Sequence, residues 1–144
     1  MEILTGKEEH LSGILRLYKQ LIPDEEPATL NKSKEIWKLI KKENIKYFVA
    51  IDDDKIVSSA FIAIIPNLTE NGRPFGIVEN VIVDEEYRGL GLGKTIMDKV
   101  IEYGKSQNCQ YISLQSSNHR ADAHKFYESV GFDRDKKIAF YMKL

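Results

Sequence analysis

The sequence has 144 residues, 42% apolar and 30% charged, with 21 Lys+Arg against 22 Asp+Glu and a net charge of −1. That is one domain's worth of chain, long enough to bury roughly two-thirds of its unfolded surface, and its composition argues against disorder. The balanced charge removes the main argument for a nucleic-acid partner or a polybasic membrane contact, and no apolar run approaches the length of a bilayer span. The opening residues lack the basic flank and apolar core of a signal peptide. A single cysteine, Cys109, excludes an internal disulfide framework and fits a reducing, cytoplasmic setting.

No repeat or linker divides the chain, so residues 1–144 read as a single domain. Met1–Thr5 reads as a short strand. Glu8–Leu21 follows as a helix with Leu11, Ile14, Leu15 and Tyr18 on one face. Pro23–Lys32, with two prolines, is a loop, and Ser33–Glu43 a second helix with Ser33 as its N-cap. The period then shortens. Lys46–Ile51 and Ile56–Ile65 are strands of a hairpin, rich in β-branched and aromatic residues. The aspartates of the Asp52–Lys55 turn lack the glycine and distal glutamate of a calcium loop and read as a solvated turn. After the loop Pro66–Pro74, Phe75–Val83 is a long strand. Gly93–Gly104 is an amphipathic helix, Tyr111–Gln115 a strand, Ala121–Val130 a helix and Ile138–Leu144 a final strand. Hairpins first and a strand–helix–strand–helix unit last imply an α+β fold, a mixed, mostly antiparallel sheet with helices on both faces.

The strongest local signal is Tyr87–Thr95, Y-R-G-L-G-L-G-K-T, between a strand and a helix. Glycine admits positive φ and close backbone approach. The amides of such a turn and the helix N-terminus form an anion nest, with Arg88 and Lys94 adding charge. Gly93-Lys94-Thr95 supplies the end of a P-loop, a second rival reading, but Arg88 stands where its first glycine belongs. The dinucleotide fingerprint fails in both registers, falling on Lys94 or Ile96 in place of its last glycine. The pattern [RQ]-x-x-G-x-[GA] is matched by Arg88, Gly91 and Gly93. A connection with no ligand needs one glycine, whereas three in five residues cost entropy without a packing return.

Phe75–Phe132 carries V-E-N-V-I-V-D-E-E-Y-R-G-L-G-L-G-K and, further on, A-D-A-H-K-F-Y-E-S-V-G-F. Together these resemble the GCN5-related N-acetyltransferase (GNAT) superfamily, in its small-molecule branch. The resemblance implies a V-shaped sheet splayed between its fourth and fifth strands. It implies acetyl-coenzyme A as co-substrate, its pyrophosphate on the backbone of Arg88, Gly89, Leu90, Gly91, Leu92, Gly93, Lys94 and Thr95. It also places the acetyl arm along Val81, Ile82 and Val83, beside Phe126 and Tyr127.

Acetyl transfer to an amine needs a neutral nucleophile, a preorganised N–H donor at the carbonyl oxygen and a proton for the leaving thiolate. No metal or covalent intermediate is required when both substrates are held together. By resemblance Tyr127 is the general acid, although the residue alone also reads as a core aromatic. Glu79 interrupts an apolar strand and is the candidate base or amine-attracting group. Asn80 beside it breaks the alternation and suggests a β-bulge, which would aim the Val81 amide at the acetyl group. Asn118 either contacts the pantetheine arm or caps the next helix, and Arg120 could instead approach the phosphates.

His119 and His124 are five apart and do not share a face as metal ligands. Cys109 has no partner that would make it a nucleophile. Trp37 reads as core or as a wall of the acceptor pocket. That pocket, by resemblance, involves Leu21–Lys34 and Pro66–Pro74. Asp24, Glu25 and Glu26 suggest a cationic acceptor, Arg73 a phosphorylated one, so the acceptor stays a small-molecule amine of undetermined charge. The rival function is a non-catalytic acyl-CoA-binding regulatory module on the same fold. A homodimer through sheet edges, with Ile138–Leu144 as the pairing strand, is a further expectation.

Overall fold

The computed structural model describes residues 1–144 throughout. Strands β1 (Glu2–Thr5), β2 (Ile45–Asp52), β3 (Lys55–Ile65) and β4 (Phe75–Val83) pair antiparallel in that order. β5 (Ile112–Leu114) then adds to β4 in parallel. The sheet is therefore mixed and mostly antiparallel, as the sequence pattern requires.

Each face of the sheet carries a helix. Ile14 and Leu17 of α1 (Leu11–Leu21) pack on Val49, Ile56 and Ile82. Ile96, Met97 and Val100 of α3 (Leu92–Ser106) pack on Phe48, Ala60, Ile62 and Val78 of the opposite face. Between β1 and β2, α2 (Leu30–Ile40) leans on α1, and α4 (Ala121–Ser129) follows β5. Val49, Val57, Ala60, Ile62, Ile96, Met97 and Val100 are fully removed from solvent.

Three expectations need correction. The first helix is split, with a 3-10 turn over Glu8–His10 ahead of α1. The second begins before Ser33: Thr29 is the cap, its hydroxyl accepting from the Lys32 N–H at 3.2 Å, and Ser33 is buried inside the helix. Lastly, Ile138–Leu144 forms no strand and lies exposed. Alternation marks a segment as able to pair, but a strand needs a ladder partner, and this segment joins none in the sheet.

A buried carboxylate fixes the exit of β4. Asp84 is 1% exposed, accepts from Arg16 at 2.7 Å, caps the Glu86 N–H at 3.2 Å and lies 3.3 Å from Lys55 Nζ. Next to it the Tyr87 hydroxyl donates to Asp52 at 2.9 Å, and Lys55 sits 5.1 Å from the Tyr87 ring centroid. α1, the β2–β3 hairpin and the strand-to-glycine turn are thereby tied at one point. Burial alone would raise the Asp84 carboxyl, but the bonds from Arg16, the Glu86 amide and Lys55 outweigh it and hold the group below the usual carboxylate range.

Asp84→Ala is expected to cost about 2 kcal/mol at neutral pH. That is below the 3–5 of a fully buried pair, because Arg16 and Lys55 can hydrate when released. A depressed carboxyl stabilises the fold above its unfolded pKa, and the contribution is lost as pH falls through the folded one. Urea denaturation against pH should therefore show a shallower acid loss of stability in the variant than in the parent.

Candidate active site

β4 is paired on both sides only over its first part. β5 matches Gly76, Ile77 and Val78 with Ile112, Ser113 and Leu114, and then the two strands part. From Glu79 to Val83 the β5 side of β4 is open, which is the expected splay. In the same stretch the β3 register jumps between Ser59 and Phe61, so that Asn80 and Val81 together face Ala60. Asn80 has φ of 53°. This is the expected bulge, and it takes the backbone around Val81 out of the regular ladder. Val81 packs toward the α3 core, Ile82 is buried under α1, and the Val83 carbonyl accepts from Arg88 Nε at 3.3 Å.

The glycine turn continues from β4. Gly89 and Gly91 hold φ of 79° and 78°, and a Cβ at either would project into open space. Gly91 caps α3 with no side-chain hydrogen bond to the first-turn amides, so those N–H groups keep their donor capacity. Leu92 is the anchor, buried with Ala50 and Val57, while Leu90 is exposed. Thr95 donates its hydroxyl to the Gly91 carbonyl at 3.2 Å. Lys94 is less free than its sequence position suggests, since Asp98 takes its ammonium at 2.7 Å. At Gly93 a Cβ would come within 3.2 Å of Phe126 Cζ. The third glycine is thus a packing residue through which α3 and α4 touch.

That contact sets the position of Tyr127. Its ring lies 5.2 Å from Phe126 and 6.2 Å, edge on, from Phe132. The residue is buried, and burial pushes its phenol above the ordinary value, with Glu79 acting in the same sense and Arg120 against it. Glu79 is close enough for its charge to reach Tyr127 across the splay. Its own carboxyl is raised by desolvation. Asn118 is exposed in the β5–α4 turn and does not cap α4, whose N-cap is Arg120. The charge of Arg120 acts on Tyr127, a role the sequence did not signal. His124 bonds the Ser117 carbonyl at 2.9 Å and braces the same turn.

Glu79 belongs to a cross-strand row. Tyr47 stands opposite Phe61, and Phe61 opposite Glu79, all on the α1 face. Tyr47 and Phe61 stack at 4.9 Å, and Trp37 meets Tyr47 edge on at 5.1 Å. Between α1 and α2 a cavity of about 160 Å³ is lined mostly by apolar residues, with Tyr18, Trp37 and Tyr47 on its wall. Burial raises both tyrosines. The hydroxyls of Tyr18 and Ser59 are buried without a hydrogen-bond partner. Arg73 is not directed at an acceptor, for its guanidinium binds the Asn108 and Cys109 carbonyls at 3.3 and 2.9 Å. Glu26 is paired with Lys19. A larger, polar hollow of about 560 Å³ lies between the start of α1 and the β2–β3 hairpin, lined by Lys7, His10 and Arg16, and includes none of these groups.

The open edge of β4 beside its bulge, the glycine turn and the buried Tyr127 lie within the stretch that the family comparison covers. The acetyltransferase (GNAT) family model matches residues 11–132, and the chain belongs to that family. A glucosamine 6-phosphate N-acetyltransferase of Trypanosoma brucei brucei is 39% identical over 87 residues, 60% of this chain and 57% of that protein. An aminoglycoside N(6')-acetyltransferase type 1 of Salmonella enteritidis is 23% identical over 146 residues, 99% of each chain. A solved structure of a candidate acetyltransferase from Agrobacterium tumefaciens superposes with a TM-score of 0.94 at 31% identity, covering 100% of both chains.

The environment of Glu79 yields a direct measurement. Carboxyl-carbon NMR should give Glu79 a titration midpoint above that of the other glutamates, and Tyr127→Phe should leave it raised, because partial desolvation is the cause.

Proposed function

We propose that the chain is an acetyl-CoA-dependent N-acetyltransferase acting on a small-molecule amine by direct attack in a ternary complex. The observation that carries this reading is the contact chain from nest to phenol: Gly89 and Gly91 hold positive φ with open space beside them, and Gly93 packs on Phe126, whose ring lies 5.2 Å from that of Tyr127. That cradle fits a diphosphate, because nothing in the chain fills it and the α3 amides behind it are uncapped. Arg88, Gly89, Leu90, Gly91, Leu92, Gly93, Lys94 and Thr95 are the residues assigned to hold it. Val81, Ile82, Val83, Asn118 and Phe126 are assigned to the arm. When bound, acetyl-CoA supplies an activated acetyl group as its thioester.

The chain's residues divide the proton work. Burial keeps the Tyr127 phenol neutral across the physiological range, so it holds a proton for the leaving sulfur. Glu79 has a carboxyl raised toward neutrality, which suits a group that takes a proton from the acceptor ammonium or draws that ammonium in. The Val81 N–H, released by the bulge, is the donor assigned to the carbonyl oxygen.

Trp37, Tyr47 and Phe61, in line with Glu79, suit an acceptor that presents a flat apolar face next to its ammonium, as amino sugars do. The trypanosomal and Salmonella relatives are named for amino-sugar acceptors. With Arg73 engaged elsewhere, that loop offers no free guanidinium for a phosphate. Unphosphorylated amino sugars and aminoglycosides are therefore the first acceptors to try.

Thiol release from acetyl-CoA, followed across amino sugars, their phosphates, aminoglycosides, polyamines and amino acids, tests the reading. Coenzyme A binding with no turnover across the set would favour the regulatory module instead. Tyr127→Phe is expected to lower kcat about a hundredfold, within the range for a lost general acid, while coenzyme A affinity changes less than about threefold. Glu79→Gln should remove the acid limb of the kcat/KM profile. An unmoved profile would leave Glu79 a binding role.

A further inference from the structure

We propose that Tyr18 is a positioning residue of the acetyl-transfer site, holding the Asn80 bulge of β4 through a water molecule shared by the Tyr18 hydroxyl, the Ser59 hydroxyl and the Asn80 side chain. Its catalytic consequence rests on the acetyltransferase reading above, while the bridge stands on packing alone. Ser59, on β3, is 0% exposed. It stands opposite Val49 on β2 and Ile82 on β4, whose side chains lie under α1, so its hydroxyl faces α1 as well. Tyr18 comes one helical turn after Ile14 and packs on the same cluster, as does Tyr47. α1 therefore lays a phenol over the sheet where the β3–β4 ladder breaks.

Both hydroxyls are sealed from solvent, and neither has a hydrogen-bond partner. Buried polar atoms in folded proteins are paired in all but a few cases, with protein groups or with ordered water. The side chains of Asn80, Tyr47 and Ser59 surround the Tyr18 oxygen closely enough that each favours its ionised form, against the larger effect of burial. They are near it, yet none closes a bond on it. A hydroxyl can both donate and accept, and so can the Asn80 amide. A single guest with two protons and two lone pairs, set among them, satisfies all three. The groups around it are neutral, so the guest is water and not an ion.

The bridge gives a reason for asparagine at position 80. A φ of 53° suits glycine better, but glycine has no side chain to anchor. Asparagine tolerates the left-handed region and supplies the amide. A held Asn80 holds the bulge, and the bulge takes the Val81 N–H out of the ladder. The same helix grips the end of β4 twice more. Arg16 donates to Asp84 at 2.7 Å, and Gln20 accepts from the Glu85 N–H at 3.0 Å. Tyr18 extends that grip from the strand's exit to its bulge.

Stability gives a test of sign. Removing a hydroxyl that is truly unpaired raises the urea midpoint or leaves it alone, whereas removing one end of a bridge lowers it. Tyr18→Phe and Ser59→Ala should each lower the midpoint, and the double variant should fall little further than the larger single loss. Exchange of the Asn80 side-chain amide protons should run at least about tenfold faster in either variant. A crystal structure should place one ordered water within about 3.2 Å of both hydroxyl oxygens. In turnover, Tyr18→Phe should lower kcat about tenfold while coenzyme A affinity changes less than about twofold. In an Asn80→Gly background the same substitution should change kcat less than about twofold, because no side chain is left to hold. A chain that acetylates no amine would sink the acetyltransferase reading alone, and the stability, exchange and crystallographic measurements would still decide the bridge. An unchanged or raised midpoint, unchanged Asn80 exchange, hydroxyls bonded with no water between them, or an equal loss of kcat in the Asn80→Gly background would overturn the proposal.

Discussion

β4 loses its β5 partner after Val78, and the rest of the site depends on that departure. A strand held on both sides has every amide committed to a ladder and nothing to offer a ligand. With β5 gone and Asn80 in the left-handed region, the backbone from Glu79 to Val83 has an open side facing a cleft. The bulge costs regular pairing, and the surrounding packing holds it in place: Ile82 is locked under α1, and Val81 against the α3 core. Asp84, immediately after, is tied to Arg16 and Lys55, so the strand cannot slide to heal the bulge without breaking a buried charge network.

Two of the three turn glycines have a different physical reason from the third. Gly89 and Gly91 are required by positive φ, and a side chain there would meet no atom of the protein. Gly93 has ordinary helical geometry and is required by Phe126. The motif is therefore both a cradle and a joint. The same contact that brings α4 against the start of α3 sets the place of the following residue, Tyr127, between Phe126 and Phe132. A loop that merely connected β4 to α3 would need neither property.

Much of this was legible in the sequence because it is local. β4 could be read to its exact ends, the Asn80 bulge from one break in alternation, and the glycine turn from spacing. What could not be read was register. Asp53 and Asp54 form a two-residue turn that pairs Asp52 with Lys55, and counting back along an unbroken hairpin would set Tyr47 opposite Ala60. A shift between Ala50 and Ile51 sets it opposite Phe61 instead, and one residue of slip turns a side chain to the other face. The aromatic row beside Glu79 was hidden for that reason. Arg73 was misread because its guanidinium turns to the Asn108 and Cys109 carbonyls, which no sequence pattern encodes. Ile138–Leu144 alternates like a strand and was read as one, but it forms none, because a strand also needs a ladder partner that alternation does not specify.

The electrostatics of the site follow from burial more than from neighbours. Desolvation is the leading cause of the upward shift at both Glu79 and Tyr127, and it acts on each toward its neutral form. For a phenol that means a secured proton. For a carboxyl it means a group nearer its own titration point, able to accept a proton and to release it. Glu79 keeps solvent contact while Tyr127 is buried, so the two shifts arise in unlike surroundings. Arg120 opposes the shift at Tyr127 through its charge. Their mutual charge coupling makes the two groups a pair: a proton gained at Glu79 removes negative charge near Tyr127 and makes that phenol the stronger acid. In the reaction proposed above, deprotonation of the acceptor at Glu79 and protonation of the leaving sulfur by Tyr127 would be linked in the same way.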